Sequence, residues 1–359
     1  MGPIAFYAPL KSPHHPVPSG ERQMARNLMQ LLTRDGVAPK LVSELRSFDK
    51  RGDAAVQADL MARAEAEIPA LIARGSAEGW ALWATYHSYY KAPDLLGPSV
   101  SAALGIPYVS FEATRANKRL GGPWDAFEQK AQVACDAADV LCHFTERDAV
   151  ALQDHLKQGQ QLIHLPPFLA QEALPVPAQP LAPIILVAGM MRKGDKLASY
   201  RIISEALGDL TGDWQVEIAG DGPCHEEVAT LMAPYEDRVR FLGQLDAAEM
   251  ARAYGRARVF LWPGVNEAFG MVYLEAQAHG VPVVAQERPG VRDVVAADGL
   301  IADPAPEALA PAVLRVLNDD ETHRQRAQSA RDLVQAHHLL TAARRTVWDE
   351  LNPLMKETL

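Results

Sequence analysis

The chain of 359 residues has the composition of a globular protein, with 48% hydrophobic, 7% aromatic and 22% charged residues, which excludes a disordered or fibrous chain. Its net charge of −10 is uneven, because residues 1–170 carry 17 Lys+Arg against 18 Asp+Glu and the remainder carries nearly all of the negative excess. Nucleic acid, whose phosphates require basic surfaces, is therefore not an expected partner. This length predicts two domains.

The sequence gives no sign of a membrane span or a secretory signal, because it lacks both a run of about 18 apolar residues and a basic N-terminal stretch followed by an apolar one. Cys135, Cys142 and Cys224 show neither CxxC nor histidine-paired spacing, which favours thiols in a reducing compartment over a disulfide or zinc site. We expect a cytoplasmic protein. The nearly neutral first half leaves room for peripheral contact with the cytoplasmic face of a membrane.

Short β-rich runs alternate with helical stretches along the chain, which predicts βαβ units and a separate parallel sheet in each half. The runs of the first half are Ile4–Tyr7, Lys40–Val42, Trp80–Tyr86, Tyr108–Phe111 and Val140–Phe144. Those of the second half are Ile184–Val187, Gln215–Ala219, Val239–Leu242, Val259–Trp262 and Val281–Ala285.

The domain boundaries follow from the segment 171–183, whose four prolines among small residues disfavour both helix and strand and predict a linker. We predict a first domain at 1–170, a second at 184–338, and a helical segment at 339–359 that could return to the first domain. Parallel sheets bind ligands outside the carboxyl ends of their strands. Two such sheets facing each other would form a cleft, so functional residues are expected in the loops at those ends.

Three loops of the first half carry candidate residues. Ser19 and Gly20 stand where an amphipathic helix begins, and Ser19 is a typical capping residue. His87 and Lys91 follow a predicted strand. Glu112 follows the next strand, where its carboxylate could accept hydrogen bonds or a proton.

The most informative stretch is Asn266–Ala285, NEAFGMVYLEAQAHGVPVVA, in which Glu275 follows Glu267 by eight positions. We predict a helix at Phe269–His279 that ends at Gly280. Along such a helix the two carboxylates would lie roughly 12 Å apart, so they would contact two separate parts of a long ligand. Unpaired backbone N–H groups at the helix start would attract an anion; these belong to Gly270, Met271 and Val272.

This stretch resembles the Ex7E signature of the retaining GT-B glycosyltransferases of family four. Three flanking pieces occur in the order that the family has them, namely GDGP at 220–223, FLG at 241–243 and a turn at 290–295. The resemblance covers residues 184–303 densely. It implies the α/β GT-B fold, in which two Rossmann-like domains face each other across a cleft, with the donor bound mainly by the second domain.

The resemblance also implies roles for individual residues. On the donor side, Glu267 would meet the transferred sugar, Glu275 the ribose hydroxyls, and Arg192 and Lys196 the diphosphate, with Lys193 as an alternative. The remaining donor contacts would come from Ser19 and Gly20 near the phosphates, from the first turn of the helix at Gly270, Met271 and Val272, and from Gly243, Gln244 and Leu245 near the base.

On the acceptor side, His87 and Lys91 are candidates because they follow a predicted strand and are therefore expected to face the cleft. Many members of the family carry a histidine that meets the transferred sugar where this chain has Glu112. This departure leaves open whether Glu112 takes part in catalysis or marks an altered activity.

The predicted function is transfer of a sugar from a nucleoside diphosphate sugar to a hydroxyl of a saccharide, lipid or small molecule, with retention of configuration. The resemblance implies that no cofactor or essential metal is needed, and the absence of a DxD triplet supports this. Two alternatives stay open: a nucleotide-sugar 2-epimerase and a non-catalytic nucleotide-sugar-binding protein. A dinucleotide dehydrogenase is disfavoured because no GxGxxG follows the first strand of either half.

Overall fold

A computed structural model describes residues 2–17 and 19–357 of the protein, which divide into two compact units. The first unit holds the described residues up to Pro166 together with those from Leu340 onward, and the second holds Pro167–Leu339. Each unit contains one six-stranded sheet. Within the described residues, no helix combines the length and the apolar character that crossing a membrane requires.

The first unit is built on a parallel sheet with the strand order β2-β1-β3-β4-β5-β6. Its elements are β1 (Ile4–Tyr7), α1 (Gly20–Leu32), β2 (Lys40–Leu41), α2 (Ala54–Glu78), β3 (Leu82–Tyr86), α3 (Gly97–Leu104), β4 (Tyr108–Phe111), α4 (Asp125–Ala137), β5 (Val140–His143), α5 (Glu146–Gln153) and β6 (Gln161–His164). The five predicted strands are confirmed to within two residues. Strand β6 was not predicted, because its exposed and half-buried residues lack the continuous apolar character of the other strands.

A buried aspartate organises the loop that follows β3. The Asp94 carboxylate, in a residue only 1% exposed, accepts hydrogen bonds from the backbone N–H groups of Leu96 and Gly97 and, at 2.8 Å, from the Tyr108 hydroxyl. The Asp94 backbone N–H in turn donates to Ser88 Oγ at 2.9 Å. Because a buried carboxylate is stable only when such donors surround it, the loop between β3 and α3 has a defined path.

The second unit repeats the plan with the strand order β12-β11-β10-β7-β8-β9, again parallel throughout. Its elements are β7 (Ile184–Ala188), α6 (Asp195–Gly208), β8 (Gln215–Ala219), α7 (His225–Met232), β9 (Val239–Gly243), α8 (Ala247–Arg256), β10 (Val259–Leu261), α9 (Met271–Ala278), β11 (Val283–Gln286), β12 (Leu300–Ile301), α10 (Leu309–Asn318) and α11 (Asp320–His337).

One sequence prediction for the second unit needs correction, and one strand was not predicted. The helix expected at Phe269–His279 begins two residues later, at Met271, because Gly270 adopts φ 76° and stands outside the helix as its N-cap. The short strand β12 was not predicted, since two residues are too few to show a periodic pattern.

The last helix, α12 (Leu340–Glu357), belongs to the first unit. The Trp348 indole N–H donates to the carbonyl of Leu31 in α1 at 3.2 Å, and the Arg34 guanidinium lies 5.0 Å from the Trp348 ring centroid. The proline-rich segment 171–183 contains neither helix nor strand, and the Arg331 guanidinium donates to the carbonyl of Pro175 at 3.0 Å. This segment is therefore attached to the second unit.

Candidate active site

Each sheet has one point at which the strand order reverses. In the first sheet β2 and β3 lie on either side of β1, and in the second β8 and β10 lie on either side of β7. Loops that leave the carboxyl ends of such neighbouring strands diverge and open a crevice where ligands bind. Six of the predicted site residues lie in these loops, namely Ser19, His87, Lys91, Arg192, Glu267 and Gly270.

In the second unit, the loops after β7 and β10 and the start of α6 line an open cavity of about 300 Å³. It brings together four residues that the sequence singled out, two of them 71 positions apart: Arg192, Lys193, Lys196 and Glu267. Asp195 and Asn266 complete the polar lining, and the Asn266 amide donates to Asp195 Oδ1 at 2.9 Å. The cavity is polar and carries charges of both signs.

Glu267 is held in place through one of its two carboxylate oxygens. Its Oε1 accepts a hydrogen bond from the Trp262 indole N–H at 2.9 Å and forms an ion pair with Lys196. The Lys196 ammonium also lies 5.0 Å from the centroid of the Trp262 ring. Within the described part of the chain, Oε2 has no such partner, so an oriented acceptor remains for a ligand hydroxyl.

The three cations of this cavity differ in whether a carboxylate neutralises them. Lys196 is paired with Glu267 and its side chain is 20% exposed. Arg192 and Lys193 are exposed, and among the side chains that the structure describes no carboxylate oxygen lies within 4.0 Å of their charged groups. These two are therefore free to bind an anion, whereas Lys196 has to share its charge with Glu267.

The GDGP turn at 220–223 packs against the loop that carries Arg192. A Cβ atom on Gly220 would lie 2.0 Å from the Gly189 carbonyl oxygen, and one on Gly222 would lie 2.4 Å from that of Met191. The Met191 backbone N–H donates to the carbonyl of Asp221 at 3.0 Å. Glycine is needed here because two backbone segments are in direct contact, which fixes the loop that carries Arg192.

Glu275 lies apart from Glu267 and has a different partner. It is the fifth residue of α9, and the Tyr254 hydroxyl donates to its Oε2 at 2.9 Å. Burial raises the pKa of Glu275, while the Tyr254 hydrogen bond opposes the rise. Glu267 lies in the loop before α9, as the sequence predicted, and Glu275 lies within the helix.

The start of α9 offers the backbone donors that the sequence predicted. Among the described residues, no carbonyl outside the helix accepts a hydrogen bond from the backbone N–H groups of Gly270, Met271 and Val272. Gly243 and Leu245 lie elsewhere, at the end of the edge strand β9. The Gly243 carbonyl accepts from the Gly220 N–H at 2.7 Å, so the structure places these two residues beside the GDGP turn and outside the lining of the Arg192 cavity.

In the first unit, three side chains from three segments meet at the reversal point. His87 Nδ1 lies 2.9 Å from Glu21 Oε2 and 3.4 Å from Glu112 Oε2. The Tyr86 hydroxyl also donates to Glu21 Oε2, at 3.1 Å. His87 and Glu112, the residues directly after β3 and β4, have φ values of 61° and 56°, which non-glycine residues seldom adopt. We refer to Glu21, His87 and Glu112 as the acidic cluster.

The acidic cluster shifts the pKa values of its members in different directions. Burial alone would lower the pKa of His87, but the two carboxylates raise it to about 9. Burial raises the pKa of Glu112 to about 7 against the attraction of His87, with Glu21 and Asp148 adding to the rise. Burial would also raise the pKa of Glu21, yet the His87 charge and hydrogen bond lower it overall. Near neutral pH Glu112 therefore can accept a proton or a hydrogen bond.

The atoms of this cluster would also suit a cation. One potential ligand atom from each of the three residues lies within 4.8 Å of the others. In the portion of the chain that the structure describes, these residues form the one group of histidine, cysteine or carboxylate side chains with such spacing.

Three predicted site residues are close in sequence to members of the acidic cluster. Ser19 and Gly20 directly precede Glu21, and Lys91 follows His87 by four positions. Ser19 is confirmed as the N-cap of α1, with its Oγ accepting from the Arg22 N–H at 3.2 Å. Gly20 is exposed, and a Cβ atom there would meet nothing within 4 Å. The Lys91 ammonium lies beside the rings of Tyr90 and Trp124, at 5.5 and 5.6 Å from their centroids.

Sequence reasoning missed Glu21, Trp262 and Tyr254. An acidic residue in the first helical turn, such as Glu21, is a common helix-stabilising feature and signals no site by itself. Trp262 was assigned to a strand, although it lies one residue beyond β10. Tyr254 comes from α8, and nothing in the sequence links it to Glu275, which is 21 positions away.

Residues 182–319 match the family described as Glycosyl transferases group 1. A D-inositol 3-phosphate glycosyltransferase of Corynebacterium efficiens is 39% identical over 277 residues, which span 68% of this chain and 65% of that protein. Matches to four other curated relatives span 23% to 33% of their length. The chain thus spans less than two thirds of the length of these curated relatives.

Solved structures resemble the protein along nearly its whole length. Sucrose-phosphate synthase from Thermosynechococcus elongatus has a TM-score of 0.72 at 19% identity, covering 99% of this chain and 100% of that one. HepE from Anabaena, in complex with UDP, has a TM-score of 0.71 at 15% identity, covering 98% and 100%. The likeness confirms the predicted α/β GT-B fold with two Rossmann-like sheets. Residues 182–319 therefore match the group 1 glycosyl transferases, and the chain along nearly its whole length has the GT-B fold.

Proposed function

We propose that the protein transfers a sugar from a nucleoside diphosphate sugar to a hydroxyl acceptor, with retention of anomeric configuration and without a cofactor or an essential metal. The observation that carries this proposal is the cavity in which Glu267, anchored by Lys196 and Trp262, lies beside the unpaired Arg192. Two solved structures of one protein, HepE, support the donor class, since one contains UDP and the other contains UDP and glucose.

The donor extends across several elements of the second unit. Arg192, Lys193 and Lys196 bind the diphosphate and stabilise the charge that grows on it as the glycosidic bond breaks. Glu267 accepts a hydrogen bond from the transferred sugar through its unpartnered Oε2. Glu275, oriented by Tyr254, accepts from the ribose hydroxyls.

The reaction exchanges one bond at the anomeric carbon for another on the same face. The bond from that carbon to the diphosphate oxygen breaks, and its electron pair leaves with the diphosphate. The acceptor oxygen forms the new bond, and its proton passes to the departing phosphate. In the first unit, ionised Glu112 orients the acceptor by accepting a hydrogen bond from a second, non-reacting hydroxyl of that acceptor, beside the protonated His87.

The test begins with a thermal-shift screen of nucleotides and nucleotide sugars, because a ligand that binds only the folded state raises the melting temperature. The donor found is then incubated alone and with a panel of acceptors, and NMR couplings report the anomeric configuration of the product. Transfer with retention supports the proposal. Conversion of the sugar without an acceptor would identify a 2-epimerase, and binding without any turnover would identify a binding protein.

Two variants separate the roles of the carboxylates. Glu275→Ala is expected to weaken binding of the bare nucleotide by about 1.5 to 3 kcal/mol, since a charged hydrogen bond to the ribose is lost. Glu267→Ala is expected to lower transfer while leaving nucleotide affinity nearly unchanged. If both variants kept wild-type affinity and turnover, the assignment of the donor site would be wrong.

We further propose that the activity resides in the cytoplasm. Cys135, Cys142 and Cys224 are all buried free thiols, and this fits a reducing compartment.

A further inference from the structure

Two cations of the first unit share one pair of aromatic rings. The rings of Tyr90 and Trp124 meet edge to face, with centroids 5.6 Å apart. Lys91 Nζ lies 5.5 and 5.6 Å from the two centroids, and the Arg119 guanidinium lies 4.7 and 5.4 Å from them. We refer to these four half-buried residues as the aromatic–basic patch.

The charges of this patch are not neutralised by the protein. Over the described residues, no carboxylate oxygen lies within 4.0 Å of the charged groups of Lys91 or Arg119. The buried Arg119 Nε has no hydrogen-bond partner there. The carboxylate of Asp49, whose backbone contacts Lys91 and Trp124, is instead engaged by Gln57 at 2.7 Å. Two like charges on one surface repel each other unless an anion lies between or beside them.

Other cation–aromatic contacts of the described chain are arranged differently. Arg238, for example, lies 4.6 Å from the Trp214 ring centroid as a single cation, and its guanidinium donates to the carbonyl of Gly212 at 2.8 Å. A single cation over a ring with its donor occupied is a common packing feature. At the aromatic–basic patch the Arg119 guanidinium also donates to the Tyr90 hydroxyl, at 3.4 Å, but two cations share the same rings and Arg119 Nε has no partner among the described residues. We attribute this arrangement to a ligand.

The patch is continuous with the acidic cluster of the same unit. The Tyr89 ring lies between them, 5.3 Å from Tyr90 and 4.8 Å from His87 by ring centroids. A small ligand could therefore place an anionic group at Lys91 and Arg119 and a hydroxyl at the acidic cluster. The rings of Tyr90 and Trp124 provide apolar surface for the C–H face of a sugar or polyol.

We propose that the aromatic–basic patch binds the phosphate group of a phosphorylated sugar or polyol. Binding of the phosphate does not depend on the proposed transferase activity. The further statement that the bound sugar or polyol is the acceptor rests on the proposed function. The phosphate belongs either to a soluble ester or to a lipid headgroup, and both present the same chemistry to the two cations.

The experiment compares the binding of glucose 6-phosphate, inorganic phosphate and glucose to the full chain by calorimetry. We expect the phosphate ester to bind and glucose to bind far more weakly. Lys91→Gln and Arg119→Gln should each weaken ester binding about 10-fold, as expected for the loss of one charge-assisted contact. Arg238→Gln is the matched control, because it removes a cation from an aromatic ring in the second unit and should change nothing.

A second arm identifies the source of the phosphate. Sedimentation with phosphatidylcholine vesicles, with and without phosphatidylinositol, assigns a lipid headgroup if only the anionic vesicles retain the wild type and the two patch variants are released. If one patch variant fails to fold, raising the salt concentration in the wild type replaces it, since screening should weaken binding of the ester. Equal binding by wild type and both variants, or no binding of ester and vesicle, overturns the proposal.

The same variants distinguish this proposal from the proposed function. Nucleotide binding is measured in parallel in Lys91→Gln and Arg119→Gln and should stay at the wild-type level. Sugar transfer without binding of the ester would overturn only the proposal for the aromatic–basic patch. Binding of the ester without any transfer would overturn only the proposed activity.

Discussion

Replacing Glu112 by glutamine keeps the shape of the side chain and removes a charge that is disfavoured by burial. The pKa of Glu112 rises from its ordinary value of 4.5 to about 7 in the folded protein. A carboxyl with a raised pKa favours folding while it is protonated, so this contribution is complete below pH 4.5 and is lost as the pH rises to about 7. Above pH 7, where Glu112 is ionised in both states, the shift from 4.5 to about 7 lowers the unfolding free energy by about 3 kcal/mol relative to its value below pH 4.5.

Glu112→Gln is therefore expected to be more stable than the wild type by up to about 3 kcal/mol near pH 8 and nearly equal to it near pH 4. His87 keeps a carboxylate partner in the variant, because Glu21 remains 2.9 Å from its Nδ1. Turnover should fall about 10- to 100-fold, since a charged hydrogen bond to the acceptor is replaced by a neutral one. In the wild type, turnover should rise with pH through about 7, and the variant should lose this dependence.

The assay combines urea unfolding at several pH values with turnover of the donor and acceptor identified above. Glu217→Gln serves as the control: its buried carboxylate is paired with Arg256 at 2.7 Å, so the variant should lose stability and keep its activity. A Glu112→Gln variant that is less stable than the wild type near pH 8 would refute the argument from burial. Unchanged turnover would refute the catalytic role.

Three further predictions concern the diphosphate site, the metal and the fold. Arg192→Ala should lower turnover more than it weakens binding of the free nucleoside, because the guanidinium stabilises charge that develops during the reaction; equal losses in both measurements would contradict this. A chelator should leave turnover intact, and if it abolished activity that Mg²⁺ or Mn²⁺ restored, the acidic cluster would be the first place to look for the ion. Asp94→Ala should lower the unfolding free energy by about 3 kcal/mol in calorimetry or urea titration, since several buried donors lose their acceptor; wild-type stability would show that the loop after β3 does not depend on this carboxylate.

Local patterns of the sequence were sufficient to predict most of the strands and to single out the residues of the proposed donor site. Buried parallel strands such as Tyr108–Phe111 are nearly continuous apolar runs, so they can be located without knowledge of their neighbours. The stretch from Glu267 to Glu275 lies within one loop and one helix, so its order along the chain reflects its order in space. The capping role of Ser19 is likewise a relation between residues three positions apart.

Contacts between distant segments were decided by the tertiary structure. The strand order places β3 beside β1, and only this arrangement brings Glu21 to His87 across 66 positions. The pairing of Lys196 with Glu267 depends in the same way on β10 lying beside β7. A pKa follows from burial and from the charges nearby, and both are set by this packing, so no sequence pattern could have shown that Glu112 would titrate near neutral pH.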